Sequence, residues 1–168
     1  MIKSFLLLLL FFNASFAIAQ KSTAWYNHTL LDVQNLERSV DFYTKVFQLD
    51  TIPYPFPPSP EYIVKWLNVG EGIELHLSQW INDTTKVTSV VPSVPGHVGL
   101  VHLGFMVISM DAFLKRLLEV SSDYKSGKYK QPIIDRMPYG AKSIEIKDPD
   151  GNEIHVIEAM PAKNSTNR

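Results

Sequence analysis

Tyr26-Asn27-His28-Thr29-Leu30-Leu31-Asp32-Val33, followed by the run Asn35 to Phe47, is answered later by Val101-His102-Leu103-Gly104-Phe105-Met106-Val107 and the run Met110 to Val120. In each case a strand-like segment carrying one histidine leads into a helix-like segment. Leu36, Val40, Tyr43, Val46 and Phe47 recur at helical spacing, as do Met110, Leu114, Leu117 and Leu118. Asn35 and Ser109 stand where an N-cap is needed, because a short polar side chain can accept from the free N–H groups of a first turn. Three further strands are predicted after each helix. In the first unit they lie near Leu49 to Tyr54, Glu61 to Val69 and Gly72 to Gln79; in the second, near Gln131 to Arg136, Ala141 to Lys147 and Asn152 to Glu158. The chain therefore reads as α+β: two βαβββ modules, at 24–80 and 98–160, joined by a linker at 81–97 and together forming a curved mixed sheet around a metal site.

Two local sequences qualify this outline. Asp148-Pro149-Asp150-Gly151 has turn chemistry throughout and fixes the register of the last strand, where a slip of one residue would turn His155 to the other face. Pro53-Tyr54-Pro55-Phe56-Pro57-Pro58-Ser59-Pro60 cannot continue a ladder, since proline lacks the donor. It reads as a stiff surface loop, with Tyr54 and Phe56 available to line a pocket mouth.

Residues 1–19 are set apart from the fold. Lys3, the apolar stretch Leu6 to Phe12 and Ala17-Ile18-Ala19 have the order of a cleavable signal peptide, so export is expected. The apolar run is shorter than the ~20 residues that span a bilayer, which leaves no membrane anchor after cleavage. Roughly 150 residues remain, enough for a real core. Residues 161–168 form a polar tail.

The chain has no cysteine, which removes disulfides, thiolate chemistry and cysteine zinc sites. A formal net charge of -1 without a basic stripe argues against nucleic acid. Any metal must be held by His, Asp or Glu, the donor types of catalytic rather than structural ions. Sequons at Asn27, Asn82 and Asn164 read as coincidental, Asn27 lying inside a strand.

His28, Glu74, His102 and His155 each interrupt a mostly apolar strand, where a polar side chain is costly unless paired or bound. Glu74 and His76 share one face of their strand. His155 and Ile157 share one face of the last, with Ile154, Val156 and Glu158 on the other. Placement at matching positions of a repeat marks the set as two half-sites of one centre.

Asn27 to Val33 with Leu36 to Phe47, Ile73-Glu74-Leu75, the strand of His102 and the Asp148-Pro149-Asp150-Gly151 turn together resemble glyoxalase I, of the vicinal oxygen chelate superfamily. The resemblance spans about Trp25 to Glu158. It implies a site with metal ligands at His28, Glu74, His102 and His155, loaded with zinc, nickel, cobalt or iron. It also implies a small-molecule substrate and a homodimer, since the superfamily pairs modules within one chain or across two. The family carries a glutamate, both ligand and base, four residues after the hairpin glycine; here that residue is His155. Glu74 and His155 are the catalytic candidates, with Glu74 the better base because a metal-bound imidazole has no free lone pair. The implied activity is a carbon–sulfur lyase/isomerase acting on a 2-oxoaldehyde–thiol adduct or a related vicinal-oxygen substrate. The alternatives are an iron ring-cleavage dioxygenase and a non-enzymatic, resistance-type binding module.

Overall fold

The computed structural model describes residues 24–81 and 102–160. The signal segment, most of the linker, the sequons at Asn82 and Asn164, and the tail lie outside them. Within them the chain runs β1 (His28–Asp32), α1 (Leu36–Val46), β2 (Asp50–Ile52), β3 (Tyr62–Gly70), β4 (Ile73–Trp80), then β5 (His102–Val107), α2 (Met110–Val120), α3 (Ser122–Lys125), β6 (Asp135–Arg136), β7 (Lys142–Lys147) and β8 (Glu153–Glu158). This is βαβββ twice. The short helix α3 was not anticipated, and β2 and β6 are shorter than expected. Pro53 ends β2 by withholding a donor.

The strands form two mixed four-stranded sheets, ordered β1-β4-β3-β2 and β5-β8-β7-β6, with no hydrogen-bonded strand pair between them among the described residues. In each, the first strand runs parallel to the last, and that last strand pairs antiparallel with the one before it. Both helices start where the sequence indicates: Asn35 accepts from the N–H of Arg38 and Ser109 from that of Ala112.

Alternation sets the layers. Leu75 and Leu77 of β4, and Ile154 and Val156 of β8, are buried in one core with Tyr43 and Val46 of α1 and Met110, Phe113 and Leu117 of α2. The modules join through this helical side. Phe47, the α1 C-cap, packs its ring 4.3 Å from that of Phe105 and 5.2 Å from that of Phe113. Tyr43 donates to Asp148 across the junction at 3.0 Å, both residues being fully buried. Arg38 grips both carboxylate oxygens of Asp123 at 2.6 Å. With the helices between them, each sheet keeps one face outside the shared core.

Candidate functional site

All of the candidate residues stand on those open faces. On the first sheet His28 lies opposite Glu74, and Leu30 opposite His76, across the parallel β1–β4 pair. Antiparallel β3 places Trp66 opposite His76. The three rings form a continuous stack: His28 on His76 at 4.4 Å and 12°, His76 on Trp66 at 4.1 Å and 2°. His76 is only 7% exposed, and its Nε2 pairs with Glu74 Oε2 at 2.7 Å. His28 holds Asn27 Oδ1 through Nδ1 at 2.9 Å. The Asn27 amide also donates to the Gly72 carbonyl at 3.3 Å, but Asn27 is exposed and stands just before β1 rather than inside a strand as expected.

The proline-rich loop adds to this face. Tyr54 and Phe56 stand edge-on to Trp66 at 5.5 and 6.0 Å. Tyr54 and Pro58 also line an open groove of about 430 Å³ with Ile63, Lys65 and, from α1, Leu36 and Val40. The loop is a surface loop, exposed at most positions including Phe56, from which Tyr54 and Pro58 reach the groove.

The second open face carries His102 and His155, whose rings meet edge-on at 5.7 Å and 85°. Across the parallel β5–β8 pair His102 lies opposite Glu153, and His155 opposite Gly104. Glu145 of β7 sits across from His155.

A ring nitrogen's lone pair lies in the ring plane. His28 and His76, nearly parallel, therefore cannot both direct a lone pair at one ion; edge-on His102 and His155 can. Among the described residues, no three His, Asp or Glu side chains of a single chain gather into a metal-holding group. Among the described residues, His28 and Glu74 stand on one sheet and His102 and His155 on the other, with no ring, hydrogen-bond or ion-pair contact between the two pairs. Donor chemistry, imidazole plus carboxylate, suits a divalent transition metal.

Sequence reasoning passed over Trp66 and the role of His76. The only signal was the period-two spacing that puts His76 on the face of Glu74.

Residues 25–156 match the family described as the glyoxalase/bleomycin resistance protein/dioxygenase superfamily. The chain belongs to this superfamily. Among curated proteins none matches it. Among solved structures it is similar to a glyoxylase/bleomycin resistance protein/dioxygenase domain from Frankia sp. EAN1pec, at 19% identity and TM-score 0.61, covering 83% of this chain and 100% of that one. A glyoxalase family protein from Enterococcus faecalis gives 20% identity and TM-score 0.59, covering 81% and 98%. The trypanothione-dependent glyoxalase I of Leishmania major gives 19% and 0.53, covering 81% and 87%. At these identities the superfamily members share the fold.

Proposed function

We propose that this superfamily member is an exported, divalent-metal-dependent lyase/isomerase of glyoxalase I type, working as a pair of copies on a 2-oxoaldehyde–thiol adduct or a related vicinal-oxygen substrate. The observation that carries the reading is the Glu74 carboxylate, set on an open face and held by His76 at 2.7 Å. Isomerising such an adduct needs one base that takes a proton from a carbon and returns it to the neighbouring carbon. With His76 donating to Oε2, Oε1 of Glu74 stays free to make that transfer. Trp66, with Tyr54 and Phe56 edge-on to it, adds an aromatic surface beside His76. His28 and Glu74 of one copy, with His102 and His155 of another, are the residues that would hold the ion. When bound, it supplies Lewis-acid stabilisation of charge on the vicinal oxygens.

The test is anaerobic loading with nickel, cobalt or zinc, followed by metal analysis, sedimentation and turnover of methylglyoxal–thiol mixtures. Glu74→Gln is expected to keep the dimer and lose turnover by roughly 10²–10⁴-fold; full activity of that variant refutes the role of Glu74. The His28–His76–Trp66 stack favours a second reading, a face that binds a planar ligand without chemistry. A protein that binds no ion and is indifferent to His28→Ala and His102→Ala would support that one.

A further inference from the structure

His76 is the one buried histidine of the open faces; His28 and His102 are exposed and His155 is intermediate. Burial of Leu75 and Leu77 on the core side turns Glu74 and His76 together to the open side. Because β4 lies between β1 and β3, the two faces of the His76 ring are covered from opposite sides. Trp66 of β3 covers one and His28 of β1 the other, both nearly parallel to it. A carboxylate only accepts, so Nε2 of His76 carries the hydrogen that reaches Glu74. The sandwich restricts how the ring can turn, and the bond passes that restriction to the carboxylate. His28 is held twice. Its ring lies on His76, and its Nδ1 meets Oδ1 of Asn27. The Asn27 amide nitrogen is engaged with the Gly72 carbonyl, which leaves the amide oxygen as an acceptor for Nδ1–H. An imidazole protonated at Nδ1 keeps its lone pair on Nε2, the form that binds an ion.

We infer that His76 is the positioning residue of the module-one half-site: it orients Glu74 through a hydrogen bond and His28 through its ring face, while Asn27 fixes the His28 tautomer. The inference rests on the function proposed above and leaves the four donors named there unchanged. His76 itself is no ligand, since its Nε2–H is committed to Glu74 and its two faces to Trp66 and His28. Groups that hold the ligands of an ion from behind set their direction and basicity, so their loss is read in metal affinity even where every ligand remains. A histidine buried only to fill space would act on stability alone. The contacts here lead elsewhere, because both neighbours that His76 orients are more exposed than it is and belong to the proposed centre. His28 and Glu74 are thereby ordered within one module, before an ion or a second copy arrives, which is the state a binding site gains from.

The experiment measures cobalt and zinc affinity of the full chain by calorimetry, with urea midpoints taken alongside. His76→Phe keeps an aromatic face between Trp66 and His28 but has no donor. It is expected to weaken binding by roughly 10–100-fold in the parent, and by no more than about twofold once Glu74→Ala has removed the group it acts through. His76→Gln keeps a donor but no ring, so its loss runs through His28 and persists beside Glu74→Ala; it also serves where the phenyl ring disturbs folding. Asn27→Leu is expected to weaken binding by roughly 10–100-fold, and Asn27→Asp, which restores an acceptor oxygen, to recover part of it. Parent-like affinity in both His76 variants, or a His76→Phe loss that is the same with and without Glu74, overturns the assignment and leaves the proposed function standing. Parent-like affinity in Asn27→Leu overturns the part given to Asn27. A parent that binds no ion overturns the proposed function itself.

Discussion

Replacing Tyr43 by phenylalanine removes one hydroxyl at the junction of the modules, and its cost follows from the partners of Asp148. That buried carboxylate accepts from Tyr43 at 3.0 Å, from the backbone N–H of Asp150 and Asn152 at 2.9 and 2.8 Å, and from the Asn152 amide at 2.8 Å. The proximity of Asp148, after burial itself, holds the Tyr43 phenol well above its ordinary pKa, so the hydroxyl is a donor across the working range. A hydrogen bond to a charged group contributes about 1.5–3 kcal/mol. Three donors remain after Tyr43→Phe, so no orphaned-acceptor penalty is added and the loss should sit near the lower end, about 1.5–2 kcal/mol. For a chain of this size that is a fall in Tm of roughly 3–8 °C. Asp148→Ala instead orphans four donors and should cost more than about 4 kcal/mol. Urea unfolding of both single variants and the double variant gives the coupling directly. A Tyr43→Phe midpoint equal to the parent's, or two losses that simply add, would refute the view that Asp148 ties the modules together.

Three further outcomes follow from the same contacts. Asn35→Ala and Ser109→Ala should each lower stability by about 1 kcal/mol in chemical denaturation, since both side chains cap a first turn. Phe47→Ala should cost less than the ~3–5 kcal/mol of a fully buried Phe→Ala, yet broaden thermal unfolding if the rings of Phe105 and Phe113 are what couple the modules. Asp150 has its pKa raised by burial first and by the charge of Asp148 second, against lowering by Gln34, Ser39 and Arg38. A raised acid destabilises the fold in its ionised form, so the Asp150 contribution is lost as pH rises through the folded pKa and regained below it. Asp150→Asn should therefore gain on the parent at neutral pH, with the gap narrowing as pH falls through the carboxylate range; a gap that widens on acidification would contradict this.

The modules, both helix starts and the Asp148–Gly151 turn were legible because each is written locally: cap residues, helical spacing, turn residues. β2 and β6 were overdrawn because apolar character says where a strand can run, not where its partner ends. The half-sites were harder. The ladder sets His155 opposite Gly104 and Glu145, and only paired strands reveal that relation. The three-ring stack was invisible for the same reason, since Trp66 reaches His76 from a strand ten residues away through a turn at Glu71 and Gly72. The division of the candidate ligands between two faces follows from the packing of α1 and α2, a tertiary choice that neither module encodes alone.

The Tyr43–Asp148 bond has a bearing on the ancestry of such a chain. A repeat of two similar halves invites the picture of a single ancestral half that once assembled with copies of itself. Severed at the linker, the second half would now present Asp148 without its phenol, and Phe105 and Phe113 without Phe47. The halves scaffold one another, and each would lose part of its core contacts if the chain were cut in two.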